Sequence, residues 1–466
     1  MTTGTELPDA QGDRFVRSAL AFVSSNATGA VLGVTFWAVA ARLYPPHLVG
    51  YGVGEITAMT YVGSIALLNL GTVFPRFLYS AGAKAGMVLR AGYGSSITVA
   101  VIASIVFLTV TGHHQFMEPG IGPALLFLAA VVLWVIFTIE DAALIGFRAT
   151  VWVPIENTSF SIGKIVLLPV FVVVAPRVGV FYSWILPVIG CVVVINFYIF
   201  RRVLPAHIRH SGGRGVLPPR RVIGTVVLGE YVGGLAFISM TALPALIILS
   251  RLGPTQAAYF QTPWLAGTSF DMLLFSFATS LIVESSVRPT TASTTVRKAV
   301  RLAAWFLIPG LAILVIGAPY FLSILGHNYA VHGTPLLRLV AVTLPFMAVN
   351  VLYVTYARLA RRVRRVVTIQ ISIATIVLTL TTLLIAPLGI TGVGVSFLIG
   401  HAIVSAVVLP SVWRQYRHPD MAPGYSDSAT LVAGSASRGG DPGPAEDTVG
   451  DGGSIERHGD STDDDE

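Results

Sequence analysis

From Ser18 to Trp413 the chain repeats one alternation about a dozen times: an apolar run of roughly 20 residues, then a short polar connector. A bilayer hydrocarbon core of about 30 Å is crossed by about 20 apolar residues in a helix. The pattern therefore predicts transmembrane helices near 18–41, 48–73, 91–111, 123–146, 153–175, 179–200, 222–249, 257–283, 302–324, 334–356, 366–386 and 389–412. The second, seventh and eighth are long enough to tilt. Helices are preferred to strands because the runs are continuous, whereas barrel strands are about 10 residues of alternating character. The expected fold class is an all-α polytopic membrane protein.

The connectors alternate in charge. Those after even-numbered spans carry 19 Arg and Lys, among them Arg76, Lys84, Arg148, Arg201, Arg202, Arg288 and Arg358; the others carry only Arg42, Arg177 and Arg251. Basic loops stay on the cytoplasmic side. This places the even connectors and both termini in the cytoplasm of a plasma-membrane protein. The basic body reflects topology and neighbouring anionic lipid, not nucleic acid.

The longest basic connector, 201–221, contains Gly212, Gly213, Pro218 and Pro219 and divides the spans six and six. A short repeat supports the division: Arg42-Leu43-Tyr44-Pro45 and Arg251-Leu252-Gly253-Pro254 each follow the first span of a half. The expected domains are a cytoplasmic N-terminus over 1–17, six-helix bundles over 18–200 and 222–413, and a tail over 414–466. From His418 onward 12 Asp and Glu face 2 Arg. Such a segment buries too little apolar surface to order itself, so a disordered acidic tail is expected.

Composition removes other classes. The chain is 54% apolar and 11% charged, with a mean hydropathy of +0.75, where soluble domains carry about 25% charged residues. Residues 1–13 include Glu6, Asp9 and Asp13 and do not read as a cleavable leader. Cys191, the single cysteine, leaves no intrachain disulfide or cysteine-based metal site. There is no Walker A loop, His-Glu-x-x-His helix or Gly-x-Ser-x-Gly elbow. No enzyme activity and no cofactor are expected.

Ionisable groups in the membrane core cost at least about 2.5–3.5 kcal/mol each, and line wet cavities or pair with one another. Lys164 lies near the middle of the fifth predicted span, with Asn157 and Ser161 on the same helical face. It either holds an anionic substrate group or pairs with a carboxylate. Asp271, mid-span in the eighth, and Glu55 and Glu230, about two turns into the second and seventh, are candidates for proton or sodium coupling; each is equally a candidate partner for Lys164. Arg338, one turn inside the tenth, reads as snorkelling, and Arg76 as a topology determinant. Glu140, Asp141, Arg148 and Glu156 gather where two spans meet the cytoplasm, and a solvated salt-bridge network is expected there. His401 is a lone intramembrane histidine, and Gly229-x-x-x-Gly233 fits close helix packing.

Three stretches carry a family resemblance. The first is Arg42-Leu43, Gly50-Tyr51-Gly52, Leu70-Gly71-Thr72 and Phe74-Pro75-Arg76-Phe77-Leu78. The second is Gly317-Ala318-Pro319, Ile324-Leu325-Gly326, Tyr329-Ala330 and Pro335-Leu336-Leu337-Arg338-Leu339. The third is Ala386-Pro387-Leu388-Gly389-Ile390-Thr391-Gly392-Val393-Gly394. In order and spacing these resemble the polysaccharide-export (Wzx-like) flippases of the multidrug/oligosaccharidyl-lipid/polysaccharide superfamily, across nearly all of 15–413. The resemblance implies a V-shaped, MATE-like pair of six-helix bundles that open alternately to the two sides. It implies a cargo of oligosaccharide on a polyprenyl pyrophosphate, moved to the outer leaflet for polysaccharide or lipopolysaccharide biosynthesis, and a cationic cavity for the headgroup. In this chain that cationic role falls to Lys164, with Arg76 or Arg338 at the cavity mouth.

Two other readings remain open. A cation-coupled multidrug antiporter of the same superfamily predicts an acidic cavity with Lys164 neutralised. A non-transporting scaffold would instead recruit a glycan polymerase or glycosyltransferases. The position of Lys164 separates the first two.

Overall fold

A computed structural model describes residues 28–29, 31–111, 120–211, 220–269, 309–360 and 362–417. The described residues are helical throughout apart from short turns, with no strand among them. A helix occupies the described part of each of the twelve predicted spans. In chain order they are α1 (Val31–Leu43), α2 (Pro46–Ala66), α3 (Leu70–Phe77), α4 (Ala85–Thr111), α5 (Ile121–Gly146), α6 (Trp152–Val174) and α7 (Gly179–Tyr198). There follow α8 (Leu204–His210) and α9 (Arg220–Leu252), α10 (254–269), α11 (Pro309–Ser323), α12 (His327–Leu359), α13 (Val363–Leu388) and α14 (Ile390–Arg417). Among the described residues eight helices are long and apolar enough to cross a bilayer, and α2 with α3 makes a ninth. Their outward faces carry Val106, Val110, Val173, Phe197 and Val407, each more than half exposed, as lipid-facing helices require.

The second predicted span is not one straight rod. It bends by 48° between α2 and α3, where Leu68 and Asn69 take left-handed backbone angles. Asparagine tolerates that conformation better than most residues, and its Oδ1 accepts a hydrogen bond from Thr72 Oγ1 at 3.0 Å. α3 then lies against α5, and a Cβ on Gly146 would stand 2.7 Å from the Phe74 carbonyl oxygen. Only a glycine lets the two backbones meet there. The sixth span also runs past its predicted end, through one π-turn at Ile199–Val203 into α8.

Packing follows the sequence division. α2 to α7 pack on one another, chiefly α6 on α7 and α5 on α3 and α4, while α9, α12, α13 and α14 form a second group. The groups meet along α2 and α9, where Tyr61 and Ser239 hydroxyls lie 3.0 Å apart and Tyr231 donates to the Ile65 carbonyl. At the Arg-poor ends the two Arg-Leu-x-Pro turns come together. Gly50, one turn past the first, sits directly on the Pro254 carbonyl of the second, and a Cβ at Gly50 would overlap it. Nearby Arg42 Nε donates to the Ile324 carbonyl at 2.6 Å, bridging α1 to the end of α11. The tail from His418 lies outside the described residues.

Candidate functional site

α6 organises the polar interior of the first half. Glu156, Phe160, Lys164 and Leu168 recur every four residues and form its buried stripe. Gly163 brings α6 close to α7, with Pro187 3.0 Å from where its Cβ would be. Two turns apart on that stripe, about 12 Å by helical rise, lie two sites of opposite charge.

At the first, Lys164 is 4% exposed. Its Nζ stands 3.8 Å from the Trp184 ring centre, 4.6 Å from Phe160 and 5.2 Å from Phe36. Phe36 and Phe160 meet Trp184 edge to face at 5.2 and 5.4 Å, so the rings hold one another in place. Burying an ammonium costs several kcal/mol, and each desolvated ring face returns about 2 kcal/mol or more. Ring quadrupoles stabilise the cation without neutralising it. Among the described residues no carboxylate completes the cage, and the buried Trp184 Nε1 has no acceptor. The site thus sets an indole N–H without an acceptor beside an ammonium held by ring faces. Lys164 is neither open to solvent nor neutralised by a carboxylate.

The second site corrects the expectation of a solvated salt-bridge network. Glu140 and Glu156 are 0% and 2% exposed. Arg148, the cation expected to pair with them, has a left-handed backbone (φ 62°) and lies 4.0 Å over the Tyr79 ring instead. The carboxyls are held by amides: Asn157 Nδ2 donates to Asp141 Oδ2 at 2.9 Å, and Asn196 Nδ2 donates to Glu140 Oε2. Tyr93 on α4 in turn donates to Asn196 Oδ1 at 3.0 Å. Glu140 Oε1, Asp141 Oδ1 and both Glu156 oxygens are buried with no donor among the described residues. Glu156 faces Glu140 and Asp141 within hydrogen-bonding reach.

The other predicted site residues are dispersed. Ser161 is buried on α6 below Lys164, and Asn157 is engaged by Asp141. Arg76 is exposed on α3. Arg338 is exposed on α12 and donates to the Val315 carbonyl of α11 at 3.0 Å. Glu55 is buried on α2, and Glu230 on α9 acts electrostatically on Arg358. Asp271 lies outside the described residues. In the second half His401 is buried, with Nδ1 3.0 Å from the Phe397 carbonyl oxygen. The sequence reading missed the aromatic cage and Asn196; the one available signal for the cage was a run of aromatic residues in otherwise aliphatic spans.

No family model matches the chain, and no curated protein matches it. Solved structures do. An inward-facing multidrug resistance MATE family transporter of the MOP superfamily superimposes with a TM-score of 0.58 at 16% identity, over 86% of this chain and 98% of that one. An outward-facing structure of a transporter of that description gives 0.58 at 15% identity, over 86% and 95%. A MOP superfamily transporter from Pyrococcus furiosus, described by the reverse polarity of its binding pocket, gives 0.56 at 14%, over 86% and 95%. At these identities the comparison establishes the fold. The chain is a multi-pass membrane protein with the MATE-like transporter architecture.

Proposed function

We propose that the protein is a flippase that moves a polyprenyl-phosphate-linked oligosaccharide from the inner to the outer leaflet of the plasma membrane by alternating access. The observation that carries this reading is the Lys164 cage: a buried cation left un-neutralised, beside an indole N–H with no acceptor. Phosphate oxygens are the acceptors that such donors select. A sugar-phosphate headgroup cannot cross hydrocarbon alone, whereas its lipid tail needs no protein cover. The fold of alternating-access transporters and the basic connectors, which place both termini in the cytoplasm, agree with the task. Its partners in this reading are membrane lipids, the glycolipid cargo, and the glycan polymerase or glycosyltransferases that use and supply it.

The test is flipping of a fluorescent short-chain polyprenyl pyrophosphate carrying one sugar, in phosphatidylethanolamine–phosphatidylglycerol vesicles. With a membrane-impermeant quencher outside, the wild type should accelerate loss of the probe protected in the inner leaflet, and Lys164→Ala should insert normally and lose that activity. Equal flipping by Lys164→Ala would remove the cage from the mechanism. The antiporter reading is favoured by one observation, the buried carboxyls of α5 and α6. It predicts movement of a cationic dye such as ethidium in place of the glycolipid.

A further inference from the structure

The carboxyl cluster lies two turns from the lysine cage on the same α6 stripe. Three carboxyls on α5 and α6 offer six oxygens, and two of those receive a donor. The remaining four are buried with no donor among the described residues. Three anions at such a spacing in a low dielectric would repel by several kcal/mol per pair. Among the described residues no basic side chain donates to any of the three. The cations nearby in sequence are turned elsewhere. Arg148 stacks on Tyr79, Arg90 Nε donates to the Gly86 carbonyl, Arg201 lies 5.7 Å from the Phe197 ring, and Lys164 is caged two turns up the helix.

The other titratable groups facing the cluster are Tyr93 from α4 and Cys191 from α7, whose Sγ is 3.9 Å from the Glu156 carbonyl oxygen. Neither supplies positive charge. Glu156 is decisive, because it is almost wholly buried, points at the other two carboxyls, and has no donor on either oxygen. A carboxyl facing a carboxylate at hydrogen-bonding reach is satisfied only by a proton between them. A metal ion needs three or more converging ligands, and no such grouping is found among the described residues. The remaining donors are built in: Asn157, Asn196 and Tyr93 each fix one acceptor, leaving the others to protons. The cluster lies about 6–9 Å inside the helix ends, from the rise per residue.

We infer that Glu140, Asp141 and Glu156 form a proton-binding site, seated by Asn157, Asn196 and Tyr93, whose loading and release drive the transport cycle of the lysine cage on the same α6 stripe. The coupling half of this inference rests on the proposed function; the binding half does not. Protons taken up on the carboxyl oxygens remove the mutual repulsion and let α5 and α6 stay packed. Their loss leaves like charges face to face and favours separation of those helices, which also carry the cage.

Infrared difference spectroscopy of the full-length protein in lipid nanodiscs tests the binding half. The expected result is a protonated-carboxyl C=O stretch that persists at neutral pH, shifts in heavy water, and is diminished in Glu156→Gln and in Glu140→Gln. Asp141→Asn is a second variant where either glutamine variant fails to fold. Absence of the band in the wild type at neutral pH overturns the site, as does a band that no variant changes. The coupling half is read in the glycolipid vesicles with an imposed proton gradient. The wild type should respond to the gradient, and Glu156→Gln should lose that response. Flipping that depends on Lys164 but ignores the gradient overturns the coupling and leaves the flippase reading standing. A normal carboxyl band in a protein that flips no probe sinks the flippase reading and keeps the proton site.

Discussion

The two halves share a fold and bury different chemistry. Among the described residues every buried Lys, Arg, Asp or Glu lies in the first half: Glu55, Glu140, Glu156 and Lys164. The second half buries Thr262, Thr343, Asn350, Thr355, Thr381, Ser396, His401 and Ser405, all neutral or an imidazole. There the polar groups mostly close on the local backbone. Thr343, Thr355 and Ser396 donate to the carbonyl four residues earlier at 2.7–2.8 Å, and Asn350 donates to the His401 carbonyl at 3.2 Å. Back-bonding of this kind satisfies a hydroxyl in a membrane without any partner from outside. Tyr329 OH, Asn350 Oδ1 and Thr381 Oγ1 are left over, and none carries charge. Among the described residues of the first half Trp184 Nε1 lacks an acceptor beside the Lys164 ammonium, acceptors lack donors at the carboxyl cluster, and Ser96 Oγ, Ser104 Oγ and His207 Nε2 are also left over. In the proposed reading a ligand completes the lysine cage and protons complete the carboxyl cluster, which would concentrate the charged chemistry in the first half.

The comparison can be broken most directly at Lys164. Replacing it with alanine removes a charge-assisted hydrogen bond of about 1.5–3 kcal/mol, roughly 10–100-fold in glycolipid flipping. Lys164→Arg should recover part of the rate, and a rate within twofold of wild type for the alanine variant would sink the asymmetry. Packing gives the next effect. Gly146→Ala pushes a methyl against the Phe74 backbone and should lower stability by about 1–3 kcal/mol in a detergent melt. At the second-half position Gly400 the obstacle is a movable Val377 side chain, so Gly400→Ala should cost less; the reverse order would refute this account of close approach. Trp184→Phe keeps a ring over the ammonium and deletes the indole N–H. A drop of roughly 2–10-fold in flipping is expected, the size of one neutral hydrogen bond. His401→Phe should be mildest: stability falls by about 0.5–1.5 kcal/mol with flipping per folded molecule unchanged. A transport defect there would move functional chemistry into the second half.

Much of this was legible in the sequence, for definable reasons. Apolar run length is a direct physical requirement of the bilayer, and the described part of each span from 18–41 to 389–412 is helical. The repeated Arg-Leu-x-Pro turns marked equivalent positions, and they meet in the structure. Depth was less legible. Glu140 and Glu156 sit near span ends, where hydropathy cannot tell a solvated carboxylate from one walled in by the next helix. The wall is Asn196 and Tyr93, 56 and 47 residues from Glu140 in the chain, brought there by tertiary packing. Arg148 looked like a ready partner, and one left-handed residue turned it onto Tyr79. The Lys164 cage likewise joins Phe36, Phe160 and Trp184 from three helices. The bend at Leu68–Asn69 was hidden because a left-handed pair leaves no gap in hydropathy.

The touching turns at Gly50 and Pro254 carry a mechanical meaning. A single hydrogen atom separates the two chain segments there, so in the proposed alternating-access cycle that spot would be the bearing on which one bundle rolls over the other. Any larger side chain would be a wedge, holding the Arg-poor mouth ajar whatever the ligand or the proton supply.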